Sequence, residues 1–418
     1  MTTHVSEQAA ERPVFDPFDP KWASDPFPLY ADLRARAPVH RNELGFWVVA
    51  RHADCLTVLR DRRSSSDSLN VAAERMPEGF RRLPEGVDPM AEAMLEMRPF
   101  LFRDPPDHTR LRGLVSKAFT PRVVESLRDR TQAIVDELLD AALEAGEVDL
   151  VDAFAYPLPV RVICEMLGVP VADQDRFRDW SHALARGLDP DFLLTDEVVA
   201  ARETAVVQFA QYFFELLAER RRNPGDDLLS GLARAEDEGN MLSEGELLAT
   251  CILLLVAGHE TTVNLISGGT LALLEHPDQL EQLRADPSTA RPGVEELLRY
   301  VSPVQLTGRA MLEDLELDEV TFEAGDFVML LLASANHDPE AFEDPERLDL
   351  GRSPNNHLGF GFGIHHCLGA PLARMEAQVA LTTLVRRAPR LALAAGAPTY
   401  KQNVVLRGLE VLPVRMAG

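Results

Sequence analysis

Phe360-Gly361-Phe362-Gly363-Ile364-His365-His366-Cys367-Leu368-Gly369 is the stretch on which the reading of this 418-residue chain turns. Two glycines ahead of a single Cys predict a tight loop whose backbone approaches another group closely. Helical pattern follows, so Cys367 is expected at a helix N-terminus. There the positive end of the helix and free N–H groups favour a thiolate, which is a soft metal ligand. An inert buried Cys beside a glycine turn is the competing reading. A zinc site would need four ligands, usually from spaced pairs, and no second Cys/His pair lies near His365, His366 and Cys367.

Outward from the loop, residues 243–275 form the longest helical pattern. Its middle is apolar all round, as in a helix buried in a large core. Inside it stands Ala257-Gly258-His259-Glu260-Thr261-Thr262. A glycine there costs about 1 kcal/mol against alanine, and a carboxylate in apolar surroundings must be satisfied. The Thr261 hydroxyl can bond the Ala257 carbonyl and bend the helix. Local rules broken together at one spot mark a functional site; a capping or turn motif between two helices is the alternative.

The Cys loop resembles the cysteine-loop signature of the cytochrome P450 family, and the resemblance runs from about Asp25 to the C-terminus. It implies a mainly α fold with a small β component, a long central helix over a haem and a proximal Cys loop. The implied cofactor is haem b (iron protoporphyrin IX), with Cys367 as iron ligand and Phe360, Gly361 and Gly369 shaping the loop against it. Ala257 and Gly258 match the oxygen-binding groove. Glu260 and Thr261 match the acid–alcohol pair that delivers protons during dioxygen activation. His108, Arg112, Arg309 and His365 match haem-propionate partners, suitable because propionates are anionic. Glu296 and Arg299 match a structural ExxR motif, with Arg352 as third member and Arg347 as alternate. Taken alone, an ExxR spacing or a His/Arg pair four apart on a helix reads as solvated surface.

The resemblance further implies a monooxygenase that inserts one oxygen atom from O2 into a small to medium hydrophobic substrate, by hydroxylation or epoxidation. No GxGxxG follows a strand, so electrons are expected from a separate ferredoxin with its reductase. Arg110, Lys117 and Arg374 are the expected basic docking patch. A peroxide-driven oxygenase and a non-catalytic haem-binding sensor are the alternatives, and the acid–alcohol pair weighs against both. Residues 64–100, 172–200, Leu253–Ala257 and the strand around Gln305 are expected to line the pocket. Strand alternation would put Gln305, Thr307 and Arg309 on one face, so Gln305, Thr307 and Leu254 are the substrate candidates. A terpenoid, steroid, macrolide or fatty acid would suit such a pocket.

Composition sets outer bounds. A formal net charge of −25 disfavours general binding to nucleic acid or an anionic membrane. Cys55, Cys164, Cys251 and Cys367 are too sparse for a disulfide scaffold. No signal peptide is evident, and the longest apolar run, residues 251–257, is too short to span a bilayer. A cytoplasmic monomer is expected, with residues 1–24 as a loose arm and 25–418 as one domain. The pattern predicts a strand over 45–50, a helix over 52–60, irregular chain over 61–104, and helix almost throughout 105–222. A turn at Asn223-Pro224-Gly225, short strands between 303 and 332, a meander over 337–357 and terminal strands near 391–393 and 404–413 complete it.

Overall fold

A computed structural model describes residues 13–19, 25–75, 98–117, 119–190, 193–234, 236–237 and 240–416. The principal helices are α1 (Phe27–Arg36), α2 (Asp107–Ser116), α3 (Arg128–Ala145), α4 (Pro157–Leu167), α5 (Phe177–Arg186), α6 (Asp196–Arg222), α7 (Glu244–Glu275), α8 (Ala290–Val301) and α9 (Ala370–Arg387). The mainly α architecture with a small β component matches the expectation.

Helix α7 is the axis. A capping box starts it: Ser243 Oγ accepts from the Glu246 N–H at 3.2 Å, and Glu246 Oε2 accepts from the Ser243 N–H at 2.9 Å. It is buried along most of its length and packs against α4, α5, α6, α8 and α9. It is long and apolar enough to cross a membrane, but 72% of its apolar window is buried inside the protein. Such burial on all sides is why its pattern lacks an amphipathic stripe. Close packing needs small residues: a side chain at Gly268 would come within 2.6 Å of Val301 on α8.

The β component is a five-stranded sheet. Its strands are β1 (Val39–Arg41), β2 (Trp47–Val49), β3 (Ser64–Ser65), β4 (Thr307–Met311) and β5 (Phe327–Leu330), in the order β1-β2-β5-β4-β3. β5 runs parallel to β2 and antiparallel to β4, with Val328 opposite Arg309. A smaller three-stranded sheet joins Glu147–Asp149, Ala392–Leu393 and Pro413–Arg415.

The loose N-terminal arm is corrected where the chain is described. Phe15 is buried with Tyr30 and Leu33, and its N–H donates to His40 Nε2 at 3.0 Å. Residues 1–12 and 20–24 of the arm lie outside the described residues, as do 76–97 of the expected pocket segment.

Candidate active site

The Cys loop is held by its own backbone. The Cys367 N–H donates to the Phe360 carbonyl at 2.9 Å, and the His366 N–H to the Gly363 carbonyl at 3.1 Å. Gly363 has φ +73°, and a side chain there would meet the Leu59 carbonyl oxygen at 2.8 Å, so only glycine fits. Helix α9 starts just beyond, with Gly369 as its N-cap. Burial pushes the Cys367 thiol up, outweighing the Gly369 and Ala370 N–H groups and the Arg112 and Arg374 guanidiniums that pull it down. The helix terminus favours the thiolate as expected but does not secure it; a bound cation deprotonates such a thiol. Among the described residues no group of three or more His, Cys, Asp or Glu side chains gathers as for a metal.

Four expected residues converge beside this loop. The His108 and His365 rings lie 4.2 Å apart, and none of their ring nitrogens has a hydrogen-bond partner among the described residues. Arg309 is buried, and among the described residues it donates to neutral oxygens, Thr307 Oγ1 at 3.2 Å and the Gly308 carbonyl at 2.7 Å. Arg112 donates to the His366 carbonyl at 2.5 Å. Burial, then His108, Arg309 and Arg112, depress His365 to about 3. Burial lowers His108 and brings Arg309 down to about 10. Among the described residues, Asp104 is the acid that acts on the last two. A buried nest of donors short of anions is what two carboxylates would complete, and the propionates of haem supply two.

Helix α7 opens at one stripe. Leu253, Ala257 and Thr261 lie one helical turn apart in a helix that is mostly buried; Ala257 is exposed, and Leu253, Gly258 and Thr261 are half-buried. Leu254 is 8% exposed. Thr261 Oγ1 donates to the Ala257 carbonyl at 2.9 Å, as expected. Glu260 turns into the protein instead, where its Oε2 accepts from Lys401 Nζ at 2.8 Å. Burial raises the Glu260 carboxyl, but Lys401, then His259 and His182, bring it below its ordinary range. Sequence reading missed Lys401, which gives no signal in a polar C-terminal segment far along the chain.

The family model for cytochrome P450 matches residues 92–388. Polyketide biosynthesis cytochrome P450 PksS of Bacillus subtilis is 40% identical over 97% of this chain and 100% of its own. The solved structure of PksS agrees with a TM-score of 0.87, at 39% identity, over 97% of this chain and 100% of that one. The chain belongs to the cytochrome P450 family. The monooxygenase PikC of Streptomyces venezuelae is 44% identical over 94% of this P450 and 92% of its own length. For 6-deoxyerythronolide B hydroxylase of Saccharopolyspora erythraea the figures are 39%, 96% and 98%. This P450 is thus an oxidoreductase of a haem-dependent monooxygenase family.

Behind the P450 Cys loop, Glu296 accepts from Arg299 and from Arg352 Nε at 3.0 Å. Arg352 is the third side chain of this group. Arg347 takes part through its carbonyl, which accepts from Arg299 and Arg352.

Two expectations are corrected. Gln305 precedes β4, so strand alternation does not reach it. Its side chain is 1% exposed and faces the body of the protein: Oε1 accepts from Tyr30 Oη at 2.9 Å, and Nε2 donates to the Ser302 carbonyl at 2.6 Å. Thr307 is half-buried and engaged by Arg309. The basic patch also changes. Arg110 pairs with Glu246. Arg374 pairs with Glu295 at 2.6 Å, its guanidinium 4.4 Å from the centre of the Phe360 ring. Neither is a free surface charge; Lys117 is exposed.

Proposed function

We propose that this P450 inserts one oxygen atom from O2 into a hydrophobic organic substrate, with electrons from a ferredoxin and its reductase, in the cytoplasm. The carrying observation is the accessible Ala257–Thr261 stripe of a buried helix, with a carboxylate directly behind it. The family resemblance supports Cys367 as haem ligand and His108, Arg112, Arg309 and His365 as propionate partners; the unsatisfied donors beside the loop fit that assignment. Haem, when bound, supplies the reductive activation of dioxygen.

The chain's own residues bind, exclude water and move protons. Leu253 and Ala257, with Leu254 beside them, make this face of α7 apolar. The Thr261 hydroxyl, which donates its one proton to the Ala257 carbonyl, is fixed in direction and can accept a hydrogen bond from a water beside it. Glu260, ionised against Lys401, takes a proton from the solvent side and passes it toward Thr261 when it turns. Of the hydrophobic classes expected, the names of PksS and 6-deoxyerythronolide B hydroxylase favour a polyketide-type macrolide.

The test is Thr261→Ala, assayed with a ligand found by difference-spectrum screening of macrolides, steroids, terpenoids and fatty acids. Thr261→Ala should keep haem and ligand binding, still consume reductant, and release hydrogen peroxide in place of oxygenated product. Glu260→Gln should slow oxygen-dependent turnover, and added peroxide should partly restore product in both. Wild-type rate and coupling in both variants would remove the proton-delivery assignment. A peroxide-driven reading would gain if turnover needed no electron donor.

A further inference from the structure

The hold on Glu260 does not come from its own helix. Lys401 lies on the segment after Thr399–Tyr400, and its side chain is 12% exposed against 4% for Glu260. A backbone bond from the Lys401 N–H to the Gly408 carbonyl at 3.0 Å closes a hairpin around residues 403–405. That hairpin is fastened to the turn between α5 and α6. Asp189, only 2% exposed, accepts from the Val404 N–H at 3.0 Å and the Val405 N–H at 2.9 Å. Its other oxygen accepts from Arg186 Nη1 at 2.6 Å. Asn403 adds a second tie, its Nδ2 donating to the Ala185 carbonyl at 3.4 Å.

A carboxylate this deeply buried persists only when its bonds are made, and nothing in the proton chemistry attributed to the site uses Asp189. What it fixes is backbone, and the backbone it fixes carries Lys401. Four elements face Glu260: His259 on α7 itself, His182 on α5, Tyr156 at the start of α4 and Lys401 on the hairpin. Among the described residues, Lys401 gives it a direct hydrogen bond.

We propose that Asp189 is a positioning residue for proton delivery: by bonding the Val404 and Val405 N–H groups it holds the hairpin that sets Lys401 against Glu260. The α5–α6 turn and the proton-delivering carboxylate are thereby mechanically linked. When the turn shifts, Lys401 withdraws. Glu260 is then left buried without its partner and takes up a proton, because burial disfavours the lone charge. The inference rests on the reading of Glu260 and Thr261 as the proton-delivering pair.

The experiment is infrared difference spectroscopy of the haem-loaded protein at neutral pH, reading the carbonyl band of a protonated buried carboxylic acid. Wild type and Lys401→Arg should lack a Glu260 band. Lys401→Met should show one that disappears in Lys401→Met/Glu260→Gln. Asp189→Asn should show the same band, with faster amide hydrogen exchange at 401–405. Substrate-free reductant consumption should change by roughly tenfold in both Asp189→Asn and Lys401→Met, a fraction of the 10²–10⁴ attributed to a positioned acid or base, and Lys401→Arg should restore it. Should Asp189→Asn fail to fold, Asn403→Ala replaces it, with the band expected at lower intensity. An Asp189→Asn protein whose hairpin exchanges faster while Glu260 stays ionised overturns the proposal, as does a Lys401→Met protein whose buried-acid band is unchanged by adding Glu260→Gln. If the bands behave as stated but Glu260→Gln keeps full coupled turnover, the brace stands and the proton-delivery reading falls.

Discussion

Arg299 and Glu296 meet at 2.8 Å with neither side chain exposed to solvent. The carboxylate also accepts from Arg352, from Asn355 Nδ2 at 3.1 Å and from the Asp349 N–H at 3.1 Å. Arg299 in turn donates to the carbonyls of Asn336 and Pro345. One buried carboxylate on α8 therefore pins the meander that leads into the Cys loop.

Glu296→Ala would strand the buried Arg299 guanidinium and release Arg352. Breaking such a pair from one side costs about 3–5 kcal/mol. Chemical denaturation should show a loss of that size, and haem should dissociate more readily on gel filtration. A denaturation midpoint unchanged from wild type would mean that the meander is held elsewhere.

Gln305→Leu should leave the ligand-binding profile as it is and weaken the fold. It removes two buried bonds, one from the Tyr30 hydroxyl and one to the Ser302 carbonyl, at about 0.5–1.5 kcal/mol for each. Thermal unfolding and difference-spectrum titrations read the two effects separately. A shifted ligand profile at wild-type stability would return Gln305 to the cavity.

Glu376 on α9 is fully buried, and its Oε2 has no hydrogen-bond partner among the described residues. Burial alone pushes this carboxyl up to about 8. The unfolded chain ionises near 4.5 while the folded protein keeps the proton. Its contribution to stability is thus complete below that pH and lost as pH rises toward 8. Glu376→Gln should match wild type near pH 4.5 and unfold at a higher temperature near pH 8, the gap widening between. A gap independent of pH would show that Glu376 is not the titrating group.

Cys367→His tests the ligand assignment. The reduced, carbon-monoxide-bound wild type should show the strongly red-shifted band of thiolate-bound haem, and the variant a histidine-type band. If the variant keeps its haem and the band does not move, Cys367 is not the ligand.

Much of this protein was legible because its signals are local. The Cys-loop decapeptide, the apolar 243–275 pattern and the glycines that only a tight loop requires depend on near neighbours. Helix α7 and the helix after Cys367 accordingly lie where their patterns place them. Arg352 as third partner to Glu296 and Arg299 was reached through family resemblance, which stands in for tertiary information.

The sequence by itself determined a mainly α protein built around one apolar helix and one cysteine loop, since burial period and turn chemistry are written residue by residue; the haem was implied by the family resemblance. The tertiary structure alone decided which charges are met. Lys401 reaches Glu260 across 141 positions, Glu295 neutralises Arg374, and Tyr30 claims Gln305. Such pairings are set by where distant segments cross. A side chain's electrostatic fate depends on those crossings, because charge and hydrogen bonding act through space and not along the chain.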